Sequence, residues 1–201
     1  MERIRLWENG ISDDQVRTVV ESLRNGAVII WPTDTIYGIA CDALNPKAID
    51  RICRLKRLNP DKNLLSIVCS DISQASEYAR IENKAFKLMK NNVPGPYTFI
   101  LKAASRLPNV FKGRKTVGIR IPDYFPARKI AEMLGNPLLN ASVDFDDDDY
   151  ARSPELIEEA YSGQCDMLLL GPEGRITPST IIDCTGSDFK IVRQGAGTID
   201  F

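Results

Sequence analysis

Polar side chains that could bind an anionic substrate are concentrated in five short motifs of this 201-residue chain. The motifs are PTDTIYG at 32–38, PGPYT at 94–98, RIP at 120–122, NASVD at 140–144 and PSTIID at 178–183. The first four adjoin the ends of apolar runs typical of buried strands, and the fifth opens such a run. Ligands of open α/β sheets gather at strand ends. These hydroxyls and the Arg120 guanidinium are therefore candidate ligand-binding groups, although Ser and Thr near turns more often serve the turn itself.

The absence of histidine limits the chemistry that these motifs could perform. It excludes Ser-His-Asp and Cys-His nucleophile systems, imidazole general bases and His-ligated metals. Any reaction must use Lys, Arg, carboxylates, hydroxyls, backbone groups and a bound ion. The five cysteines form no CxxC pair. We therefore expect free, buried thiols, and neither a zinc site nor a haem.

Helix and strand signals alternate along most of the chain, which predicts one α/β domain over residues 1–201. The first helix follows a capping box of Ser12 and Gln15 and ends at Asn25-Gly26. Further helices are predicted at about 45–57, 71–79, 84–91 (capped by Asn83), 126–134 and from Ser153-Pro154 onward. Strands are predicted at 27–31, 64–69, 97–102, 116–121, 138–143, 166–170, 180–184 and 190–193.

Charge and hydropathy constrain the partners and the location of the protein. Lys and Arg number 26 against 27 Asp and Glu, giving a net charge of −1, which argues against a purely electrostatic nucleic-acid binder but permits a local basic cleft. The N-terminus lacks an apolar signal-peptide core, and the apolar runs are too short to span a membrane. We expect a cytoplasmic protein with no membrane contact.

Taken together and in order, the motifs resemble the YrdC-like family over about residues 12–197. The resemblance is carried by PTDTIYGIA, a Lys-Arg helix end, PGPYTFILK, VGIRIPDY, PLLNAS, PSTIID and IVRQGAG. The segments IDRICRLKRL and KLMKNNVPGPYTFILK are similar to its YciO-like branch. The resemblance implies a YrdC/RibB-like fold, a twisted mixed β-sheet with flanking helices and a concave basic cleft.

The resemblance also implies an activity and its partners. Well-studied family members condense L-threonine, bicarbonate and ATP into threonylcarbamoyl-AMP and pyrophosphate, and the product is used for the threonylcarbamoyladenosine modification of tRNA. The expected substrates are thus ATP and L-threonine or a related small molecule, with Mg²⁺ as the accompanying ion. Members of the family also bind double-stranded RNA and tRNA, so RNA is a second candidate partner. Lys, Arg, hydroxyls and Mg²⁺ suffice for such nucleotidyl transfer.

Residue by residue, the resemblance implies catalytic roles for Lys56 and Arg120 near the phosphates. The ligand-binding positions that it implies are Thr33, Thr35, Tyr37, Pro94, Gly95, Thr98, Ser142, Asp144, Ser179, Thr180 and Arg193. It assigns no metal-ligating residue.

Two positions depart from the family pattern. Leu58 stands where the arginine of a K-x-R pair is expected, with Arg57 adjacent but directed elsewhere, and Asp144 stands where the asparagine of an S-x-N element is expected. A carboxylate there is unfavourable for a triphosphate unless Mg²⁺ or a lysine intervenes. The departures leave open weak or altered synthase activity, a different small substrate, or an RNA-binding protein that kept the cleft without the catalysis.

Several of these candidate residues could instead have a purely structural role. Lys56 could complement the helix dipole, Arg120 and Arg193 could be surface charges, and Tyr37 could only pack against the sheet. The lysines at 84, 87 and 90 form either an RNA-facing stripe or, more commonly, a solvated face. The acidic run 146–149 could hold Mg²⁺ but is more typical of a solvated loop, and the basic turn 113–115 could contact RNA or only aid solubility.

Overall fold

One mixed sheet dominates the computed structural model, which describes residues 1–6, 10–59, 63, 65–107, 115–144 and 152–200. Its strands within these ranges are β1 (Glu2–Arg5), β2 (Ile29–Trp31), β3 (Gly38–Asp42), β4 (Ser66–Val68), β5 (Ala79–Arg80), β6 (Tyr97–Ala103), β7 (Thr116–Arg120), β8 (Leu138–Ser142), β9 (Met167–Leu170), β10 (Thr180–Asp183) and β11 (Lys190–Arg193). The spatial order is β1-β9-β2-β3-β8-β4-β7-β6-β10-β11, and β5 pairs with β6. The sheet combines parallel pairs, such as β6 with β10, and antiparallel pairs, such as β6 with β7.

Helices cover both faces of the sheet. Within the described ranges they are α1 (Asp13–Arg24), α2 (Pro46–Leu55), α3 (Ile72–Tyr78), α4 (Asn83–Asn92), α5 (Phe125–Leu134) and α6 (Pro154–Ala160). The apolar residues of α1 and α5 share one hydrophobic core, and those of the other four helices belong to a second core. Alternate residues of β2 divide accordingly, because Ile29 and Trp31 join the α1–α5 core whereas Ile30 joins the other. The fold is therefore a three-layer α/β domain.

Strand register brings the polar motifs to one region of the sheet. The antiparallel pairing of β6 with β7 places Thr98, the second residue of β6, near Arg120, the last residue of β7. Strand β10 runs parallel to β6 with Ile181 beside Thr98, and β11 returns antiparallel with Arg193 beside Ile181. Residues that are widely separated in the chain thus meet at one end of neighbouring strands.

Most of the predicted elements are confirmed, including the N-terminal caps of α1, α2 and α6. Ser12 and Gln15 form the predicted capping box, and Gly26 has a left-handed φ of 87° just after α1. Asn45 and Ser153 cap α2 and α6 through their side chains. All five cysteines are free and buried.

The structure corrects the sequence prediction in two respects. Asn83 does not cap α4: the helix begins at Asn83, and the capping residue is Glu82, whose extended backbone has no side-chain cap. Strands β1, β3 and β5 were not predicted. The acidic run 146–149 and residues 113 and 114 of the basic turn lie outside the described residues. Among the helices that the structure describes, none is long and apolar enough to cross a membrane.

Candidate functional site

A cavity of about 250 Å³ opens where the polar ends of these strands meet the C-terminus of α2. Its polar lining consists of Lys56, Ser66, Thr98, Arg120, Asn140, Ser142, Asp144, Ser179 and Arg193, and its apolar lining of Ile52, Leu58, Leu65, Leu139, Ala141 and Ile181. Seven of the predicted site residues line this cavity: Lys56, Thr98, Arg120, Ser142, Asp144, Ser179 and Arg193. A concave site lined by both apolar walls and a few convergent polar groups is the usual form of a small-molecule site.

Arg120 is buried and ties the cavity to the loop between β2 and β3. Its Nη2 donates to the Thr33 hydroxyl at 3.2 Å, to Asp34 Oδ1 at 2.5 Å and to the Thr35 hydroxyl at 2.6 Å. The Arg120 and Asp34 side chains are only 5% and 7% exposed. Asp34 also accepts from the backbone N–H of Asp123 at 2.9 Å. Arg120 is therefore no surface charge, and Thr33 and Thr35 act on the site through it.

Arg193 also lines the cavity and anchors Ser179, the residue that precedes β10. Its Nη2 and Nε donate to the Ser179 carbonyl oxygen at 2.8 and 3.2 Å, and the Ser179 hydroxyl lies 2.8 Å from the Thr98 hydroxyl. Burial, and secondarily the positive charge of Arg120, lowers the pKa of Arg193. Two guanidinium groups thus repel each other across this site, and a bound anion would relieve that repulsion.

Lys56 approaches the cavity from the end of α2, whose C-cap it forms. Its side chain is only 6% exposed and forms an ion pair with Asp144, which is 78% exposed. The neighbouring Arg57 has a positive φ of 51°, is exposed and does not contribute to the cavity lining, whereas Leu58 does. Lys56 thus neutralises the Asp144 carboxylate. A carboxylate at this position was expected to be compatible with a triphosphate only if Mg²⁺ or a lysine compensated it, and the lysine is present.

Tyr37, a predicted ligand-binding residue, is not brought to the cavity. The ring is completely buried, and its hydroxyl donates to the Pro172 carbonyl at 2.9 Å and accepts from the Gly171 N–H at 3.1 Å. Burial raises the pKa of Tyr37 to about 12. Its hydroxyl thus joins the β2–β3 loop to the segment that follows β9, and its role in binding stays a prediction.

Pro94, Gly95 and Thr180 also lie outside the cavity lining. Gly95 donates its N–H to the Ile121 carbonyl at 2.9 Å, which fixes the turn before β6 against the end of β7. The buried Thr180 hydroxyl donates to the Gly197 carbonyl at 2.6 Å and accepts from the Gly197 N–H at 3.1 Å. These contacts hold the elements that carry Thr98, Arg120 and Arg193, and a direct contact with a ligand stays a prediction.

The sequence reasoning overlooked three residues that shape the site. Asp34 holds Arg120, as described above, and it lies within the PTDT motif. The Asn140 side chain accepts from Trp31 Nε1 at 2.8 Å, and the Ser66 hydroxyl donates to the Asn140 carbonyl at 3.0 Å. Asn140 could have been found from its place in NASVD, whereas no motif marks Ser66.

Gly118 leaves room for two residues that line the cavity, Ser66 and Thr98. A Cβ atom at this position would lie 3.0 Å from Ser66 Cβ and 3.1 Å from Thr98 Cγ2, both of which belong to lining residues. Real Cβ atoms rarely approach so closely. The absence of a side chain on β7 therefore lets two polar strand residues meet at the cavity.

The charges around the cavity are largely compensated. Of its three lining cations, Lys56 pairs with Asp144, and Arg120 pairs with Asp34. Arg193 donates to Ser179 instead of to a carboxylate. The strongly basic cleft stays a prediction. Over the residues that the structure describes, no group of three or more Cys, Asp or Glu side chains could hold a metal ion.

Comparisons with known proteins identify the family and the fold of the chain. The Sua5/YciO/YrdC family model, described as telomere recombination, matches residues 21–195. The uncharacterized protein YciO of Escherichia coli (strain K12) is 37% identical over 187 residues, which cover 92% of this chain and 90% of the relative. The E. coli YciO crystal structure matches with a TM-score of 0.91 and 35% identity, covering 98% of both chains.

Two further relatives carry functional names. The threonylcarbamoyl-AMP synthase of Vibrio vulnificus (strain YJ016) is 28% identical over 185 residues, which cover 90% of this chain and 98% of the relative. The crystal structure of P. abyssi Sua5 complexed with L-threonine matches with a TM-score of 0.87 and 29% identity, covering 97% of this chain and 58% of that chain.

Proposed function

The chain belongs to the Sua5/YciO/YrdC family, and on this basis we propose that it is a nucleotidyltransferase of the threonylcarbamoyl-AMP synthase type. Its substrates are ATP, bicarbonate and L-threonine or a related amino acid, and its product serves the modification of tRNA. Two relatives support the proposal: a named threonylcarbamoyl-AMP synthase, and a Sua5 protein that binds L-threonine.

The observation that carries the proposal is the convergence of Lys56, Arg120 and Arg193 on one cavity, next to the hydroxyls of Thr98 and Ser179. Both reaction partners are anions, so the site must neutralise charge while it holds them in line. Guanidinium and ammonium groups suit phosphate and carboxylate oxygens. Histidine is not required.

The proposed reaction has two steps. The threonine amine first attacks bicarbonate, which forms a carbamate and releases water. A carbamate oxygen then attacks the α-phosphorus of ATP, the bond from that phosphorus to the β-phosphate oxygen breaks, and pyrophosphate leaves with the electron pair. Lys56 and Arg193 offset the negative charge of the reactants, and Arg120, fixed by its three oxygen partners, holds its side of the cavity rigid.

Magnesium fits this site only together with a bound phosphate. Mg²⁺ is usually held by one or two carboxylates and by substrate phosphates, and Asp144 is the carboxylate of the described lining, two residues from the Ser142 hydroxyl. When bound, the ion supplies charge neutralisation on the phosphates. Asp144 and Ser142 would hold it.

The test is pyrophosphate release from ATP and bicarbonate in the presence of MgCl₂, with and without L-threonine. We expect threonine-dependent release from the unaltered protein and a loss of at least tenfold with Lys56→Ala, since a hydrogen bond from a charged group contributes on the order of 1.5–3 kcal/mol. Lys129→Ala is the matched control, because Lys129 pairs with Asp13 outside the cavity.

Two outcomes would contradict the proposal at different levels. If the Lys56→Ala variant turned over as fast as the unaltered protein, Lys56 would have no role in the reaction, but the assigned activity would stand. If no pyrophosphate is released with threonine or with other amino acids, the synthase assignment itself is wrong.

An RNA-binding protein on the same fold is the second candidate function. Three lysines are exposed along α4: Lys84, Lys87 and Lys90. Leu58 and Asp144 reduce the positive charge at the cavity, which favours a protein that kept the fold without the catalysis. This candidate predicts affinity for double-stranded RNA or tRNA that falls steeply with salt, and no pyrophosphate release. Competition by heparin as strong as by RNA would reject it.

A further inference from the structure

We infer that Asp144 makes this cavity select nucleotides of low negative charge, a nucleoside monophosphate or an acyl adenylate, over a free nucleoside triphosphate. The inference rests on the proposed function, because it concerns the nucleotide that the same cavity would bind. It assigns to Asp144 a role in specificity that does not require it to take part in the chemistry.

The first step of the argument is the state of Lys56. Its side chain is almost completely buried at the end of α2, and Asp144 is its ion-pair partner. The positive charge that would otherwise attract a phosphate chain is therefore compensated within the protein before a ligand arrives. A ligand that uses Lys56 must compete with a carboxylate for it.

The second step is the balance of the remaining charges. Arg120 is compensated by the buried carboxylate of Asp34. Among the described lining residues, Arg193 is the cation whose hydrogen bonds go to a neutral residue, Ser179. The described site thus offers one uncompensated positive charge, which suits a single phosphate group.

The third step is the position of Asp144. It follows β8 by two residues, and its backbone N–H donates to the Tyr161 hydroxyl at 3.1 Å. That bond holds its backbone against the residue that caps α6. The carboxylate lines the cavity while 78% exposed, so each added phosphate of a longer chain brings further like charge near it.

The experiment compares the dissociation constants of AMP and ATP by calorimetry, in EDTA and without Mg²⁺. Under these conditions AMP carries about two negative charges and ATP about four. We expect the unaltered protein to bind AMP at least as tightly as ATP. Asp144→Asn should tighten ATP binding about tenfold and AMP binding only about two- to threefold, and added KCl should reduce this difference.

Two further variants separate charge from shape. Asp13→Asn is the matched control, since it also removes an exposed carboxylate from a lysine, Lys129, but on the α1–α5 face; it should leave both constants unchanged. Lys56→Met combined with Asp144→Asn removes both charges of the pair. If net charge sets the selectivity, this double variant should return the ATP-to-AMP ratio to that of the unaltered protein.

The outcomes distinguish the inference from the function on which it rests. If both nucleotides bind and Asp144→Asn changes their ratio by less than about twofold, the inference is wrong and the proposed function stands. If neither nucleotide binds to either protein, the proposed function falls and the inference falls with it. Circular dichroism establishes that the variants are folded, and Asp144→Ser repeats the test with a smaller side chain.

Discussion

Replacing Arg120 with methionine tests how the cavity is built, because this substitution removes the charge and keeps most of the side-chain volume. Nη2 of Arg120 is shared by three oxygen atoms, those of Thr33, Asp34 and Thr35. The substitution leaves Asp34 buried with one remaining described donor, the N–H of Asp123. The β2–β3 loop would lose its connection to β7.

The expected cost follows from burial. Removing one partner of a buried ion pair costs about 3–5 kcal/mol, because the other charge remains buried without compensation. For a chain of this size each kcal/mol lowers the melting temperature by roughly 2–4 °C, so we expect a decrease of roughly 10 °C. Combining Arg120→Met with Asp34→Asn should cost clearly less than the sum of the two single substitutions.

The assay is urea denaturation followed by tryptophan fluorescence, to which the buried Trp31 contributes, and by circular dichroism. Arg17→Met is the matched control: Arg17 pairs with Asp14 on the exposed surface of α1, and the loss should be below about 0.5 kcal/mol. If Arg120→Met also costs less than about 1 kcal/mol, or if the double variant is fully additive, Arg120 does not hold the loop as described.

Three further predictions concern the rest of the molecule. Burial would raise the pKa of Asp166, but its hydrogen bonds and its charge interaction with Arg51 outweigh burial and lower the pKa. The stability that this carboxylate contributes is complete above the unfolded pKa of about 3.9 and is lost as pH falls through the folded pKa. In urea titrations the cost of Asp166→Asn should therefore shrink below pH ~3.9. Tyr37→Phe should cost about 0.5–1.5 kcal/mol of unfolding free energy, because the hydroxyl makes two partly buried hydrogen bonds, to the Pro172 carbonyl and from the Gly171 N–H. Burial raises the pKa of all five cysteine thiols, so a thiol reagent at pH 8 should modify the unfolded protein rapidly and the native protein slowly.

Local signals decided which elements could be predicted from the sequence. Helix α1 was predicted because Ser12 and Gln15 cap it within one turn. Strand β1 was missed because a single buried residue among four, Ile4, gives no alternating pattern. Its partner, β9, also lies more than 160 positions away in the chain. Strand β3 was missed because GIACD follows the PTDTIY loop directly, with no turn signal between them.

The same distinction between local and long-range information applies to the candidate site. The strand-end motifs contain five of the seven predicted residues that line the cavity (Thr98, Arg120, Ser142, Asp144 and Ser179), since the position of a side chain on its own strand depends on local sequence. Lys56 and Arg193 were predicted from the family resemblance alone. The partners of those residues could not be predicted, because the pairs Arg120–Asp34 and Lys56–Asp144 join positions more than 80 residues apart. The charge balance of the site is a property of these pairs, and it became visible only with the fold.

The two carboxylates beside the site differ in burial, and this difference assigns them different roles. Asp34 is buried with Arg120, so breaking that pair leaves an uncompensated charge in the interior and should reduce stability. Asp144 is exposed, but its partner Lys56 is only 6% exposed, so Asp144→Asn leaves a nearly buried ammonium without its ion-pair partner and should lower stability as well as change ligand affinity. If Arg120→Met altered only ligand binding, or if Asp144→Asn altered only stability, this assignment of roles to the two ion pairs would be wrong.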